Sequence, residues 1–576
     1  MSRPKRVSPS SRRLGRFGIL VAVAAALLVG RLVLVQVLNG TTYARFGAGE
    51  VNQQVPLPAT RGALYDRNGN LLAASVAASN VVVDDFQVTN PVAEANALAP
   101  VLHVAATRLA TELSQRNGYV VLGQDEPSSV VARLSAMAPA GVTFQSTSLR
   151  VSPDAVLFQP LLGALNAAGR GVAGLEEMVN AQLSGRSGSE VVPEGPGGTP
   201  LPLAPSHVVA PHNGSSIVLT LDQPLQAEVT RDLSAEMASQ HAHSGVAVVE
   251  DVRTGAILAM VDLVSTPHGI VPASDNLAVT SVYEPGSVMK IATFSYALKD
   301  GVVTPQTVLS VPYSLTIGGY PFYDAEVHPT QPMAACEILA QSSNIGTIEI
   351  AHQLGMSRLH AALHDLGFGR YTGLGWPGES PGLVGSASSW TGSSQGSVPI
   401  GLGEAVTPLQ IVDAYAAIAN GGVAETPHLV AGTVSPTGVE RPVRAPAGRR
   451  VLPSWVAHEM VPMFESVIQD GTAVLAQVPG YAVAGKTGTS QQPSSTGGYI
   501  PGDWNASFVG FVPAQAPRLA AIVTLNHPTT IYGGSVAAPV FSKIMQYALP
   551  HFGIAPPTTP AQPACTGVGA AAPTPA

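Results

Sequence analysis

The chain is poor in charge, cysteine and aromatic residues, and each shortage excludes a class of protein. Charged residues make up 11% of the 576 residues and the formal net charge is −8, which argues against nucleic acid as the main partner. The two cysteines, Cys336 and Cys565, are 229 residues apart, so we expect neither a disulfide framework nor a cysteine-rich metal site. Hydrophobic residues, at 45%, supply enough apolar surface for packed domains, which excludes a wholly disordered chain.

Lysine is the scarcest charged residue. Of the 29 basic side chains only five are lysines, at Lys5, Lys290, Lys299, Lys486 and Lys543. Two of these five fall inside the motifs described below, which makes their positions informative.

The N-terminal segment has the pattern of a membrane anchor. Residues 1–16 carry six basic side chains and no acidic one, and residues 17–38 are apolar except for Arg31 and Gln36. A helix of this length spans about 33 Å, enough to cross the hydrocarbon layer. A cleaved signal peptide is the alternative, but no small-x-small cleavage site follows the apolar run. The positive-inside rule therefore predicts a single-pass plasma-membrane protein with a cytoplasmic N-terminus and the rest of the chain outside.

Composition divides the remainder of the chain. Residues 41–190 mix short apolar runs with turn-forming clusters, and residues 191–214 are rich in proline and glycine and are predicted to be a linker. Residues 215–552 have an α/β pattern. Residues 553–576 are rich in proline, alanine and threonine and are predicted to be a disordered tail.

Local patterns within residues 215–552 predict individual elements. Apolar runs bounded by turn residues predict strands at residues 246–250, 256–261, 481–484, 507–512 and 519–525. Thr407 as N-cap and Pro408 at the first helical position predict the start of a helix, and Asn420-Gly421 predicts its end.

Three short motifs indicate a serine nucleophile: Ser287-Val-Met-Lys290, Ser342-Ser-Asn344 and Lys486-Thr-Gly488. A serine needs a base within hydrogen-bond reach, and the i, i+3 spacing puts Lys290 on the same helix face as Ser287. The N-terminus of that helix would favour the negative charge that develops during attack.

The remaining polar residues of the motifs suit a peptide substrate. Lys290 must be neutral to act as a base, and we expect both burial and the charge of Lys486 to lower its pKa. The Asn344 amide suits a substrate carbonyl, and the Ser342 hydroxyl can relay a proton. A cation and two hydroxyls suit a substrate carboxylate. The candidate catalytic residues are Ser287, Lys290, Ser342, Asn344 and Lys486, and the candidate substrate-binding residues are Thr487, Gly488 and Thr489.

Similar strings elsewhere do not belong to this ordered set. Residues 2–5 also read Ser-x-x-Lys but lie in the basic tail, and Ser-Asp-Asn at 274–276 precedes the nucleophile. Residues 169–174 match G-x-G-x-x-G without the strand that a dinucleotide-binding turn requires. The two histidines at 241–243 lack a third metal ligand. We therefore expect no cofactor and no metal.

The three motifs in this order resemble those of class B penicillin-binding proteins, the membrane-anchored peptidoglycan transpeptidases. Residues 61–72 and 174–185 are similar to the signatures of that family's pedestal, and residues 283–287 and 532–541 resemble its septal, cell-division subtype, especially in actinobacteria. We interpret the charged signature residues Arg61, Asp66, Arg67 and Glu176 as an ion-paired scaffold.

The resemblance implies an α/β fold in several parts. A penicillin-binding, serine β-lactamase-like transpeptidase domain, with an antiparallel sheet flanked by helices, would comprise residues 215–552. An elongated α+β pedestal of the dimerisation type would comprise residues 41–190, preceded by one transmembrane helix.

The activity implied by the resemblance is D,D-transpeptidation during cell-wall synthesis. Ser287 would attack the penultimate D-Ala of a stem peptide, and an amine of a neighbouring stem would resolve the acyl-enzyme. Backbone N–H groups of Ser287 and Thr489 would form the oxyanion hole, and β-lactams would trap the serine. The implied partners are stem peptides, β-lactams, membrane lipid around residues 17–38, a separate glycan polymerase and other division proteins.

Two alternatives remain open at this point. A D,D-carboxypeptidase or β-lactamase has the same fold but uses water, and a β-lactamase needs a second base, for which we find no Glu-x-x-Leu-Asn string. A non-catalytic penicillin-binding scaffold or sensor is the other alternative, although only about 16 residues precede the anchor. The sequence leaves open septal or elongation duty and whether diaminopimelate or lysine supplies the acceptor amine.

Overall fold

The structure is a computed structural model that describes residues 9–43, 52–193, 207–390, 392–494, 497–558 and 565. The chain divides into two compact units, the first comprising residues 1–60, 79–147 and 185–213, the second residues 61–78, 148–184 and 214–576. Two segments of the predicted pedestal, 61–78 and 148–184, therefore belong to the same unit as the three motifs.

The N-terminal helix is apolar and exposed. It runs over Pro9–Val33 and continues as a π-helix over Leu34–Leu38. The 25 residues Leu14–Leu38 have a mean hydropathy of 2.6 and no burial, and among the described residues this is the one helix long and apolar enough to cross a membrane. It overlaps the predicted anchor, and residues 1–8 of the predicted cytoplasmic tail lie outside the described residues.

A small antiparallel sheet of the first unit includes parts of the predicted linker. Its strands are Asn52–Leu57, Gly188–Pro193 and His207–Val209. The predicted linker at 191–214 therefore includes strand residues at 191–193 and 207–209, and its residues 194–206 lie outside the described residues.

The first unit also has a hydrophobic core of its own. It is formed by the strand Val120–Pro127 and the helices Pro91–Leu102, Ala106–Leu113 and Ser128–Met137. Leu98, Leu109 and Leu134 are fully buried there. Two long strands, Leu71–Val83 and Val142–Val151, contribute residues to both units.

Short elements of the second unit surround the first signature. They are the strands Leu64–Tyr65, Ala164–Leu165, Gly171–Ala173 and Ser216–Leu219 and the helices Ala155–Leu162, Gly174–Met178 and Asn180–Leu183. The predicted ion-paired scaffold is present here in part. Arg61 and Arg150 both bind the buried Glu176 carboxylate, at 2.6 and 2.8 Å. Asp66 instead accepts hydrogen bonds from backbone N–H groups, and Arg67 lies over an aromatic ring.

A six-stranded antiparallel sheet forms the centre of the second unit. Its strands in chain order are Ser244–Asp251, Ala256–Thr266, Gly269–Pro272, Ala484–Pro493, Tyr499–Val512 and Leu519–Asn526. Their spatial order is third, second, first, sixth, fifth, fourth, so the strand Ala484–Pro493, here called the KTG strand, lies at an edge of this sheet.

Most of the predicted strands are confirmed. Residues 246–250, 256–261, 507–512 and 519–525 lie within strands of this sheet, but the prediction for 481–484 is wrong. The KTG strand starts only at Ala484 and its sequence, Ala-Gly-Lys-Thr-Gly-Thr-Ser-Gln-Gln-Pro, is too polar and too rich in glycine to read as a strand. Lys486 to Thr489 consequently lie near the beginning of a strand and not at the end of one.

Helices cover both faces of the sheet. Gln223–Gln240 and Gly533–His551 pack against the sheet and against each other, while Pro408–Ala419 packs on the same central strands from the other side. The predicted start and end of Pro408–Ala419 are confirmed, because the Thr407 side chain accepts a hydrogen bond from Gln410 N and Asn420 ends the helix.

A largely helical region packs beside the sheet and contains the first two motifs. Its α-helices are Leu277–Thr280, Lys290–Lys299, Ala335–Ala340, Asn344–Leu354, Met356–Asp365, Ser394–Ser397 and Ser454–Gln469, with 3₁₀ turns at Gly286–Met289, Ala387–Ser389, Val398–Ile400 and Val474–Ala476. Short strands pair in two-stranded sheets at Val308–Val311, Ser314–Ile317, Tyr320–Tyr323, Gln331–Ala334, Val423–Ala424 and Arg449–Arg450. The strands Val430–Val434 and Glu440–Pro442 belong instead to the seven-stranded sheet that contains Ser216–Leu219. The helix Lys290–Lys299 is buried at every position from Lys290 to Leu298.

The two cysteines form a disulfide, contrary to the expectation from their spacing. The Cα atoms of Cys336 and Cys565 are 5.9 Å apart. Sequence separation does not limit pairing, because the requirement is spatial proximity of the two Cα atoms. The predicted tail is also ordered at its start: Ile554 is buried and its carbonyl oxygen accepts a hydrogen bond from Tyr481 at 2.6 Å. Residues 559–564 and 566–576 of that tail lie outside the described residues.

Candidate active site

Ser287 lies in a tight turn that packs directly on the KTG strand. The 3₁₀ turn Gly286–Met289 leads into the helix that begins at Lys290, so Ser287 precedes the first α-helical turn. Gly286 has a φ of +58°, and a Cβ there would lie 2.6 Å from the Thr489 carbonyl oxygen. A Cβ on Gly488 would lie 2.7 Å from the Pro285 carbonyl oxygen. Both positions require glycine because the two backbones are in contact.

The Lys290 ammonium group joins the first motif to the second. The side chain is fully buried, and Nζ donates hydrogen bonds to the Ser342 carbonyl oxygen at 2.6 Å and to Asn344 Oδ1 at 2.9 Å. Ser342 Oγ lies 3.3 Å from the same nitrogen. Within the described residues no hydrogen bond joins Lys290 to Ser287 Oγ, so the contact expected from the i, i+3 spacing is absent. Catalytic hydrogen bonds are often long without substrate and tighten in the complex.

The second motif is held in an uncommon backbone conformation. Ser342 has a φ of +60°, in the left-handed region that few residues other than glycine adopt. It connects the helix Ala335–Ala340 to the helix Asn344–Leu354, whose N-cap is Ser343. Such a conformation costs on the order of 1–3 kcal/mol and persists only where surrounding contacts hold it.

Asp324 holds the three residues that follow Ser342, although no sequence motif marks it. Its carboxylate is almost fully buried and accepts hydrogen bonds from Asn344 N at 2.5 Å, Ile345 N at 3.0 Å and Ser343 Oγ at 2.8 Å. A carboxylate at the N-terminus of the helix Asn344–Leu354 satisfies N–H groups that would otherwise lack partners. The imidazole of His328 contacts the same carboxylate at 3.0 Å.

Lys486 is the second buried lysine of the cluster. Its Nζ donates to Thr487 Oγ1 at 3.2 Å, and burial together with the Lys290 charge lowers the pKa of Lys486 well below its usual value. Burial lowers the pKa of Lys290 to about 7, while the Asp324 charge raises it. The expected effect of burial on Lys290 is therefore present, whereas the lysine–lysine repulsion acts chiefly on Lys486.

Thr487 and Thr489 of the third motif lie on the KTG strand, at the edge of the sheet. Thr487 Oγ1 is 2.8 Å from Thr472 Oγ1, and Thr489 Oγ1 accepts a hydrogen bond from Gly533 N at 3.4 Å. Since the KTG strand lies at the edge of its sheet, an extended peptide could add beside it.

Glu284 is a further residue near the site, and none of the three motifs includes it. Its carboxylate accepts hydrogen bonds from Gly403 N at 2.8 Å and from Tyr499 Oη at 2.9 Å. Its backbone carbonyl oxygen accepts a hydrogen bond from Ser490 Oγ. The segment before Ser287 is thereby fastened to the hairpin that joins the KTG strand to its neighbour.

The other strings singled out by the sequence lie elsewhere. The Asn276 side chain is buried against the Met260 sulfur, away from the lysine pair. His243 stacks on His527 with ring centroids 4.1 Å apart, and the described residues contain no group of three or more side chains suited to a metal ion. Residues 2–5 lie outside the described residues.

Comparison with known protein families gives two matches that together span most of the chain. Residues 245–546 match the penicillin binding protein transpeptidase domain. Residues 56–219 match the penicillin-binding protein dimerisation domain.

Curated relatives and solved structures agree with these matches. The chain is 31% identical to penicillin-binding protein PbpB of Mycobacterium tuberculosis, over 92% of this chain and 83% of that protein. It is 30% identical to peptidoglycan D,D-transpeptidase FtsI of Escherichia coli, over 94% of this chain and 92% of that protein. The crystal structure of penicillin binding protein 3 from M. tuberculosis with aztreonam superposes with a TM-score of 0.69 at 29% identity, covering 88% of this chain and 99% of that one.

Proposed function

Because the chain belongs to the class B penicillin-binding proteins, and is a serine-type peptidoglycan D,D-transpeptidase that binds β-lactams, we propose that Ser287 is its nucleophile. In the same proposal Lys290 is the acylation base, Ser342 relays the proton, and Asn344 orients the donor peptide. Lys486, Thr487 and Thr489 bind the terminal carboxylate, with Gly488 allowing the close approach.

The first half-reaction forms the acyl-enzyme. Ser287 Oγ attacks the carbonyl carbon of the penultimate D-Ala while its proton passes to neutral Lys290. The bond from that carbon to the terminal D-Ala nitrogen then breaks, and the proton moves through Ser342 Oγ to the departing amine. The backbone N–H groups of Ser287 and Thr489 stabilise the oxyanion.

The second half-reaction forms the cross-link. An amine of a neighbouring stem peptide attacks the ester carbonyl, Lys290 accepts the amine proton and passes it to Ser287 Oγ, and Ser287 leaves as its hydroxyl while Lys290 becomes neutral again. The product amide joins two stems and the enzyme returns to its starting state. A β-lactam follows only the first half-reaction and remains attached to Ser287.

The observation that best supports these assignments is the contact of Lys290 Nζ with Ser342 and Asn344, next to a second buried lysine. A lysine whose pKa burial lowers to about 7 is partly neutral at physiological pH, and so can accept a proton there. The positive charge of protonated Lys486 is available to bind the terminal carboxylate of the substrate.

Labelling with a fluorescent penicillin tests the nucleophile and the base. We expect Ser287→Ala to abolish covalent labelling of the full-length protein, and Ser281→Ala, an exposed serine in the same loop, to leave it unchanged. Lys290→Ala should lower the acylation rate by about 10²–10⁴-fold. Lys299→Ala, nine residues further along the same helix, is the matched lysine control. Labelling that survives Ser287→Ala, or a normal rate in Lys290→Ala, would refute the respective assignment.

We further propose that the N-terminal helix anchors the protein with its basic end in the cytoplasm and the enzyme outside. The six basic residues among the first 16 support this orientation. A reporter enzyme that is active only outside the cytoplasm should be active when fused after residue 558 and inactive when fused before residue 9. The reverse pattern would contradict the orientation.

The cellular role we propose is cross-linking of septal peptidoglycan, with a separate glycan polymerase and other division proteins as partners. Similarity to FtsI and PbpB supports the division role. Conditional depletion in the source bacterium should block septation and give elongated cells. Loss of cell width control with normal septa would favour elongation instead.

A further inference from the structure

The Asp324 and His328 side chains contact each other next to the second motif, with Asp324 buried and His328 partly exposed. Asp324 Oδ1 binds the first two N–H groups of the helix Asn344–Leu354, and Asp324 Oδ2 binds Ser343 Oγ and His328 Nε2. The side chain of Asp324 is 7% exposed and that of His328 is 17% exposed.

The surroundings of His328 favour a doubly protonated ring. Nδ1 lies 2.8 Å from the Pro329 carbonyl oxygen, and Nε2 lies 3.0 Å from the Asp324 carboxylate. Both neighbours are acceptors only, so each ring nitrogen must carry a hydrogen to make its contact. An imidazolium has two N–H groups, whereas a neutral ring has one.

The pKa of His328 agrees with this geometry. Partial burial lowers it, but the hydrogen bonds to Pro329 and Asp324 and the Asp324 charge outweigh burial and raise the pKa above its usual value. The ring of Tyr313 meets the imidazole edge-on, with centroids 6.1 Å apart.

Asp324 also acts on the proposed base. Its charge raises the pKa of Lys290, in opposition to burial, and Lys486 is the other charged group near Lys290. Glu349 is a further titratable neighbour of Asp324, and its pKa is raised by burial and by the Asp324 charge. The net charge of the Asp324–His328 pair therefore bears on how readily Lys290 gives up its proton.

We propose that Asp324 and His328 are positioning residues for the transpeptidation reaction. Asp324 holds the second motif, with Ser342 and Asn344, against Lys290. The His328 imidazolium balances the Asp324 charge, so that Lys290 can lose its proton. This inference rests on the proposed role of Lys290 as base. It assigns to both residues an effect transmitted through Lys290 and the second motif, without contact with substrate.

The two residues should have opposite effects on the pH dependence of acylation. Asp324→Asn removes the negative charge, which lowers the pKa of Lys290 and moves the rising limb of the rate to lower pH. His328→Gln removes the positive charge and leaves Asp324 uncompensated, which moves the limb to higher pH. Each displacement should be at least about half a pH unit, since a neighbouring charge commonly shifts a pKa by a unit or more.

The experiment measures the second-order rate constant for acylation by a fluorescent penicillin from pH 5 to 9. It uses the full-length protein in detergent micelles, with His352→Gln as control because His352 is exposed on the helix that carries Asn344. Opposite displacements of the limb in Asp324→Asn and His328→Gln, with none in His352→Gln, support the inference. A uniform loss of rate without displacement, or displacement in the same direction, overturns it.

Failure of this inference can be distinguished from failure of the proposed function. If the wild-type rate has no limb near pH 7, or Ser287→Ala is still labelled, the assignment of Lys290 or Ser287 is wrong. If the wild-type limb is present and the variants do not move it, only the roles of Asp324 and His328 are wrong. Should Asp324→Asn fail to fold, His328→Gln alone decides, because a limb unmoved or moved to lower pH contradicts the proposal.

Discussion

Two buried lysine side chains lie together at the proposed active site. Lys290 and Lys486 are both fully buried, and the free energy of desolvating an ammonium group lowers both pKa values. A protein for which lysine is this scarce has two of its five lysines in one cluster. Only the tertiary structure, however, shows that Lys290 contacts the second motif more closely than it contacts Ser287.

A buried pair of carboxyl groups lies away from that cluster. Glu250 on the strand Ser244–Asp251 and Asp413 on the helix Pro408–Ala419 are close enough for each carboxyl group to shift the pKa of the other. Burial, and then the charges of Asp251 and Glu425, raise the pKa of Glu250 to about 8, and burial also raises that of Asp413. Burial disfavours the charged form of both carboxyl groups, so the folded state retains a proton that the unfolded chain releases.

From this pair we expect stability to fall as the pH rises. A folded-state pKa above the unfolded value contributes stability that is complete below about pH 4.5 and is lost as the pH rises through about 8, by at most about 1.4 kcal/mol per pH unit. Glu250→Gln keeps a hydrogen-bond donor without a titratable proton. The variant's midpoint of thermal unfolding should therefore decline less than that of the wild type between pH 6 and 9. An unchanged decline in Glu250→Gln, matching that of the exposed control Glu440→Gln, would contradict this account.

At the scale of elements, the proposed site depends on contacts between the turn that contains Ser287 and the hairpin that contains the KTG strand. The turn Gly286–Met289 packs on the KTG strand through glycine contacts, and Glu284 adds the hydrogen bond to Tyr499 on the next strand. These contacts fix the distance between Ser287 and the edge of the sheet. The close packing explains why a polar, glycine-containing sequence is used in a strand at this position.

We expect Tyr499→Phe to weaken this connection without changing the core. The substitution leaves the Glu284 carboxylate with one donor fewer in a mostly buried position, a loss of about 1–3 kcal/mol. The second-order rate constant for penicillin acylation should fall roughly tenfold, because 1.4 kcal/mol corresponds to that factor. Tyr371→Phe, at a residue that is 66% exposed, is the control. Equal rates in wild type and Tyr499→Phe would show that the hydrogen bond does not position the turn.

At the scale of the whole molecule, a covalent bond ties the C-terminal segment to the middle of the chain. Cys336 lies on the helix Ala335–Ala340, immediately before the second motif, and Cys565 lies near the C-terminus. A cross-link over so many residues restricts the unfolded chain and typically contributes about 2–4 kcal/mol. The bond requires an oxidising compartment, in agreement with the proposed extracytoplasmic position.

Removal of this bond should lower thermal stability while leaving the site able to react. We expect Cys565→Ser to lower the midpoint of thermal unfolding, and a reducing agent to lower that of the wild type to the same value. The reducing agent should have no further effect on Cys565→Ser. A midpoint that is insensitive to both changes would mean that the disulfide does not stabilise the folded chain.

Much of the architecture was predictable from local patterns, for reasons visible in particular elements. The strands at 246–250 and 519–525 are apolar runs buried on both faces, and the helix Pro408–Ala419 has its capping residues in sequence. The start of the KTG strand is not predictable in this way, because its burial comes from the packing of the turn Gly286–Met289 and not from apolar residues of its own. Local patterns likewise could not predict that residues 61–78 and 148–184 belong to the second unit, because this depends on contacts between distant segments.

The sequence by itself determined the order of the three motifs, the apolar N-terminal helix and the resemblance to a family, since each is carried by neighbouring residues. Only the tertiary structure decided which distant groups meet: Asp324 with the second motif, Glu284 with Tyr499, and Cys336 with Cys565. The physical reason is that hydrogen bonds, charge interactions and disulfides act through space over a few ångströms. Their partners are set by how the whole chain packs, and no spacing within a motif records that packing.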